Sequence, residues 1–315
     1  MKTFNIHFYE NRKIFFGISI AIMAIGLIFN IAFGTQMDIQ FTGGAVIKYS
    51  YTGTIQQSEV ENIVQDTAKK EATVRILENV KSADGSATKN NVSISFAGTD
   101  SLSLDTQQTI AKSLTAKYPN ADFQVVESSS VNPTMGRSFF FKCLAAVLIA
   151  FILLVIYIAI RFQKIGGMSA GIMAILALLH DVVMVYFTFI IFRIPLNDSF
   201  IAVVLTILGY SLNDTIIIYD RIRENRRLLG PKTAYSVLVN SSINQTFTRS
   251  LYTAGCTFAA ITTVYIVGVI YGLTSVTTFA LPMMVGVVTG CYSSVCVAGP
   301  LYVMWQNHKL AQKEA

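Results

Sequence analysis

Long apolar runs alternate with short polar connections along the chain, and one extended polar stretch follows the first run. The runs are Ile14–Phe33, Phe139–Ile160, Met168–Phe192, Phe200–Tyr219, Leu251–Tyr271 and Val276–Trp305. About 20 residues at about 1.5 Å rise cross the hydrocarbon layer of a bilayer, so the pattern predicts six transmembrane helices. The last run is long, and Pro282 near its start either kinks the helix or marks where it begins. The first run occupies the place of a cleavable signal peptide. It exceeds an ordinary signal core, and Phe29-Asn-Ile-Ala-Phe33 offers no small-residue cleavage site, so it is expected to be retained.

The polar stretch, residues 34–137, has its own pattern. Ala45–Tyr51 reads as a strand. Ser58 through Lys70 reads as a helix, with Ser58 as cap, Glu61 as its capping-box partner and Val60, Ile63, Val64 and Thr67 on one face. Val74–Val80 fits either a strand or a helix end, Asp84-Gly85 a turn, and Asn91–Phe96 an alternating strand. Asp105 is placed to cap a helix running to Lys117, and Ala121–Val126 closes as a strand. The order β-α-β-β-α-β predicts an inserted α+β ferredoxin-like domain. Gly43-Gly44 before the first strand is either a tight turn or a place where bare backbone presses on a neighbouring strand or on the membrane domain.

Composition supports the membrane reading. The chain of 315 residues is 53% hydrophobic and 13% charged, with a mean hydropathy of +0.53, against about 25% charged residues in soluble domains. Its net charge of +6 is an orientation signal rather than a nucleic-acid surface. Lys2, Arg12 and Lys13, then Arg161 and Lys164, then Arg221, Arg223, Arg226, Arg227 and Lys232, and finally Lys309 and Lys313 all fall on one side of six spans. The positive-inside rule makes that side cytoplasmic, with both termini there and residues 34–137 exported to the opposite side. The expected layout is 1–33 for the N-terminus and first span, 34–137 for the exported domain, 138–308 for spans two to six, and 309–315 for the tail. The exported stretch holds nine Lys/Arg and eleven Asp/Glu. Cys143, Cys256, Cys291 and Cys296 all lie in apolar runs, which excludes a disulfide scaffold. No HExxH, CxxC, GxSxG or P-loop is present, so neither an enzyme nor a cofactor is expected, and ATP hydrolysis is disfavoured.

The chemistry lies in polar groups inside the spans. Asp214 sits in Leu205-Thr-Ile-Leu-Gly-Tyr-Ser-Leu-Asn-Asp-Thr-Ile-Ile-Ile-Tyr219, where a carboxylate costs about 2.5–3.5 kcal/mol on insertion scales. One reading is that it pairs with polar groups to orient the bundle; the other is that it titrates. Asn213 and Gly209 flank it, and Gly209 removes bulk that would otherwise hold a neighbouring helix away. Arg249 is its natural counterpart, or else an interfacial anchor at the mouth of span five. Guanidinium stays charged and competes with protons for a carboxylate rather than carrying them. Thr246, Thr248, Ser250, Thr253 and Thr257 supply hydroxyls nearby. In span three, Asp181 and His180 are further candidates for a proton pathway: His180 is either a relay group or a neutral, hydrogen-bonded core histidine, and Asp181 stands out because a carboxylate pays more for burial. No cluster of metal ligands is visible in the sequence.

These residues carry a resemblance. Gly209-Tyr-Ser-Leu-Asn-Asp-Thr-Ile-Ile-Ile-Tyr-Asp-Arg-Ile-Arg-Glu-Asn225 resembles the signature of the SecF branch of the SecD/SecF family of the bacterial Sec protein-export machinery. Phe41-Thr-Gly-Gly44, His180-Asp-Val182 and Ser242-Ile-Asn-Gln-Thr-Phe-Thr-Arg249 match in the same order. Isoleucines and Tyr219 stand where other members often carry valines and phenylalanine, which keeps the run apolar. The resemblance implies a six-span half of an RND-superfamily membrane domain, completed by SecD. It also implies association with the SecYEG channel and YajC, and use of the proton-motive force to assist late export of an unfolded polypeptide. It places Asp214 and Arg249 in the proton pathway, with a further carboxylate supplied by SecD. Two other classes fit the residues alone: an RND-like exporter of lipid or small hydrophobic molecules, and a non-transporting assembly factor. H⁺ and Na⁺ coupling remain open, since carboxylates and hydroxyls serve both.

Overall fold

The computed structural model describes residues 6–80, 89–97, 102–163, 167–230 and 232–314. Lys2, Lys164 and the turn at Asp84-Gly85 lie outside them. Helix α1 (Arg12–Phe33) buries only Ser19 and Gly26. A Cβ on Gly26 would overlap the ring of Phe187, so this helix approaches its neighbour through a missing side chain.

The chain then leaves the apolar layer. Asp38 caps α2 (Ile39–Thr42) by accepting from the backbone N–H of Gln40 at 3.0 Å. There follow β1 (Gly44–Tyr51), α3 (Gln57–Ala68), β2 (Thr73–Val80), β3 (Lys89–Ala97), α4 (Leu104–Lys117) and β4 (Gln124–Val131). The sheet order is β2-β3-β1-β4 with antiparallel neighbours throughout, which is the ferredoxin-like arrangement. Alternation places Ala45, Ile47, Tyr49 and Tyr51 of β1 beside Val92, Ile94 and Phe96 of β3 on the buried face, against Val60 and Val64 of α3 and Ile110 and Leu114 of α4.

Local details differ from the sequence reading. Val74 pairs with Ile94, which settles the ambiguous segment as a strand. Ser58 does not cap α3, because Val60 already bonds back to the carbonyl of Gln56, leaving Ser58 inside the helix. Ser103, not Asp105, caps α4, accepting from Thr106 at 3.2 Å; Asp105 sits in the first turn. The last strand begins later than Ala121, since Asp122 adopts a left-handed φ of 43°. It continues through Ser128–Ser130 because pairing with β1 outweighs the weak strand preference of serine.

Both readings of Gly43-Gly44 hold at once. Their φ values are +75° and +141°, and a Cβ on Gly43 would overlap Pro133 while one on Gly44 would overlap the carbonyl oxygen of Phe96. The turn and the close approach are one feature. It seats the sheet against the start of α5 (Pro133–Arg161), which Asn132 caps and Pro133 pre-forms.

The remaining spans are α6 (Gly167–Ile191), α7 (Asp198–Leu229), α8 (Tyr235–Ile270) and α9 (Thr274–Ser293), then a π-helical segment (Ser294–Ala298) and α10 (Gly299–Glu314). Six helical runs among the described residues are long and apolar enough to cross a membrane. Over half of the most apolar window is buried in α6 (56%) and in Thr274–Gln312 (61%), and half (50%) in α7, against 6% in α5 and 11% in α8. Those three form the centre, and α1, α5 and α8 the periphery. Pro282 lies inside α9, so it does not mark the start of the last span; regular α geometry gives way downstream, at Ser294–Ala298. Helices α7 and α8 also run well past the expected limits of Tyr219 and Leu251, as a paired polar extension.

The two parts meet along the connections. Met37 bridges Leu196, with Asp38 N–H donating to the Leu196 carbonyl and Leu196 N–H to the Gln36 carbonyl, each at 2.9 Å. Phe41 packs its ring on Phe139 and Phe140 of α5.

Candidate functional site

Asp181 is fully buried at the centre of the bundle and is saturated with hydrogen bonds. Its Oδ2 accepts from Ser211 of α7 at 2.6 Å and from Ser293 of α9 at 2.7 Å, and its Oδ1 lies 3.1 Å from Nδ1 of His180. Nε2 of His180 is 3.1 Å from the hydroxyl of Ser19 on α1. With Asp181 ionised, Nδ1 carries the imidazole proton and Nε2 accepts from Ser19. The order serine–histidine–aspartate is that of a hydrolytic triad, yet Ser19 is buried between helices and lacks the exposure a nucleophile requires. What the array can do is hold a charge and link α1, α6, α7 and α9.

The same network continues along α7. Thr215 and Ser294 hydroxyls are 2.9 Å apart, and Ser294 donates to the backbone carbonyl of Ser211 at 3.1 Å. Ser294 opens the π-helical segment, an irregularity frequent at functional positions. The chain of bonds stops at Thr215, the residue beside Asp214.

Asp214 is only 1% exposed, yet neither carboxylate oxygen has a hydrogen bond of good geometry among the described residues. The hydroxyl of Ser250 on α8, also buried and unpaired, and the charge of Arg249 are the groups that act on it. Arg249 is exposed and forms no ion pair with Asp214 among the described residues. The two carboxylates are therefore opposites: Asp181 fully satisfied, Asp214 buried and open. Buried polar groups without partners are rare and mark strain or function.

The other expected residues divide between interior and outer face. Thr246 is buried and spends its hydroxyl on the Ser242 and Ile243 carbonyls. Asn213, Gly209 and Thr253 are exposed. Nothing lies within 4 Å of a Cβ built on Gly209, so the close helix contact expected there is not made within this chain. Gly167, Gly286 and Gly290 do make such contacts. Gly43 and Gly44 belong to the domain joint, away from the carboxylates. Among the described residues no group of three His, Cys, Asp or Glu is placed to hold a metal. Sequence reasoning missed Ser19, Ser211, Ser293, Ser294 and Thr215. Their signal was a hydroxyl within an otherwise apolar run on three of the helices, most visible in the pair Ser293-Ser294 after Gly290.

The profile described as "Protein export membrane protein SecD/SecF, C-terminal" matches residues 108–308, from α4 into α10. The chain belongs to the SecD/SecF family. It is 33% identical over 310 residues to the protein translocase subunit SecF of Petrotoga mobilis, covering 98% of this chain and 99% of that one. It is 32% identical over 312 residues to the SecDF of Bacillus subtilis, covering 98% of this chain and 39% of the relative. A crystal structure of SecDF, a translocon-associated membrane protein from Thermus, superposes with a TM-score of 0.80 at 28% identity, over 97% of this chain and 39% of that one. A SecDF solved in a super-membrane-facing form gives 0.66 at 29% identity, over 100% and 40%. The chain thus spans about two fifths of the SecDF relatives and nearly all of the SecF one. The fold of a SecD/SecF-family member, six spans with an inserted α+β domain, agrees with the description above.

Proposed function

We propose that this chain is the SecF-type half of a membrane unit that uses a proton gradient to promote late steps of protein export. One observation carries the reading: Asp214, on the family signature segment, is buried with no hydrogen bond of good geometry to either oxygen, facing the Ser250 hydroxyl and the charge of exposed Arg249 on α8. A carboxyl so placed can exchange a proton without first breaking a strong hydrogen bond. Protonation removes its attraction for the guanidinium and changes the packing of α7 against α8. His180 and Asp181 hold the polar chain that ends one residue away at Thr215, so a shift of α7 at Asp214 is passed to α1 and α6 by movement of the helix itself.

SecD is the partner the surface calls for. Asn213, Arg249 and Thr253 are exposed on helices at membrane depth, where lipid cannot satisfy them. The SecDF of Bacillus subtilis is a longer chain, of which this protein covers 39%. On this reading SecYEG, with YajC, receives the assembled unit in the inner membrane. Both termini are cytoplasmic, and residues 34–137 meet the unfolded polypeptide in the periplasm. A unit charge crossing about 100 mV supplies about 2.3 kcal/mol, enough to bias one conformational step but not to unfold a stable cargo. The unit therefore rectifies movement of an extended chain.

The test is Asp214→Asn in vesicles containing this chain with SecD and the channel. Translocation driven by an imposed proton gradient is expected to fall to the gradient-free rate. Full gradient-driven translocation by Asp214→Asn at equal protein level would favour an assembly role instead.

A further inference from the structure

The signature segment runs on past Asp214 to Asn225, and the second segment begins at Ser242, before Arg249 is reached. Among the described residues, the polar side chains between make no direct hydrogen bond to the side chain of either residue. Instead the two segments hold each other. Asn225, 3% exposed, donates through Nδ2 to Ser242 Oγ at 2.9 Å and to Gln245 Oε1 at 2.8 Å. Nε of Arg221 donates to the same Gln245 Oε1 at 2.6 Å, and its Nη1 pairs with Glu224 at 2.6 Å. One oxygen on α8 thus takes two donors from α7.

Gln245 lies four residues before Arg249, one helical turn away on the same side of α8. The helix is gripped from a second direction too. Asn244 exchanges hydrogen bonds with both backbone groups of Ile6 at 2.9 Å, and Asn240 accepts from Tyr9 N–H at 3.0 Å. Apolar contact alone lets a helix turn or slide at little cost. A shared acceptor with two fixed donors defines both its rotation and its height.

We infer that Gln245, held by Asn225 and Arg221, is a positioning residue for Arg249: it fixes α8 against α7 so that the guanidinium stays within reach of Asp214. This inference rests on the proton-coupled reading of Asp214.

The experiment uses the reconstituted complex and measures translocation with and without the gradient. Gln245→Leu removes the shared acceptor, leaving Asn225 only its Ser242 bond and Arg221 only its Glu224 pair, while Gln245→Glu keeps an oxygen for each donor. In Gln245→Leu most of the gradient-dependent increment is expected to be lost, with gradient-free translocation little changed; Gln245→Glu is expected to retain the increment. A general packing role would lower both rates in proportion, and that result, or a full increment in Gln245→Leu, overturns the inference. Should Gln245→Leu fail to accumulate, Arg221→Gln removes only one of the two donors and is expected to lose part of the increment; an unchanged increment there overturns the inference as well. Asp214→Asn in the same vesicles separates the two failures. An increment surviving in Asp214→Asn overturns the coupling reading and this inference together. An increment lost in Asp214→Asn but kept in Gln245→Leu overturns the inference alone.

Discussion

Replacing Asp181 by asparagine and by leucine separates its architecture from its charge. An asparagine can turn its oxygen toward Ser211 and Ser293 and its Nδ2 toward His180, whose Nδ1 then accepts while Nε2 donates to Ser19. Every bond in the set survives; the extra strength of each bond to a charged acceptor, about 1 kcal/mol, is lost, but the neutral amide avoids the cost of burying a charge, leaving a net loss of about 1 kcal/mol. Leucine leaves the same donors without Asp181. Ser211 and Ser293 retain the Gly290 carbonyl, at 3.4 Å and 3.2 Å, as a weak fallback, but His180 loses its Nδ1 partner. At about 1–3 kcal/mol for each stranded group, the cost is about 2–4 kcal/mol. Cys296 is 7% exposed in the π-helical segment next to this network, so its alkylation in detergent micelles reports opening of the bundle centre. With the other three cysteines replaced, opening is expected to rise about fivefold in Asp181→Asn and about 30- to several-hundred-fold in Asp181→Leu. Equal alkylation of the two variants would refute the claim that Asp181 is a hydrogen-bond hub.

Three further outcomes follow from the packing. Gly44→Ala combines an unfavourable positive φ with a collision against the Phe96 carbonyl, and is expected to destabilise the inserted α+β domain by about 2–4 kcal/mol, read as earlier proteolysis of that domain on heating. Gly26→Leu is expected to displace α1 from Phe187 and part Ser19 from His180, lowering the melting temperature in micelles more than Gly26→Ala does; equal shifts would contradict the close contact. Burial, opposed by the Gln40 N–H and aided by the nearby Asp198, holds the Asp38 carboxyl above the usual carboxylate range. Folding then favours its protonated form, so its charge lowers stability above the folded value and not below the unfolded one. Asparagine caps as well as aspartate, so Asp38→Asn is expected to stabilise the fold at neutral pH. That gain should vanish as pH falls through the carboxylate range, and a gain independent of pH would contradict this.

How far the sequence reached is clearest at particular residues. The spans were legible because a bilayer imposes length and apolarity on each helix separately. Their polar ends were not: α7 continues to Leu229 because Asn225 and Arg221 find Ser242 and Gln245 on α8, a pairing that exists only once both helices are placed. The sheet was legible from alternation at Ile47, Tyr49 and Ile94, whereas the extent of β4 depended on a partner strand. Asp214, Asp181 and His180 stood out because charge in an apolar run is anomalous. Ser19, Ser211 and Ser293 did not, since a serine in a membrane helix is common and inexpensive. Only the fold shows that three of them converge on one histidine–aspartate pair.

The central claim is that Asp214 gains and loses a proton while buried in the membrane. Infrared difference spectroscopy on the reconstituted complex, with the gradient switched on and off, reads this directly. The account predicts a carboxylic-acid carbonyl band that changes with the gradient and is missing in Asp214→Asn. A spectrum without such a band, or one that Asp214→Asn leaves intact, would contradict it.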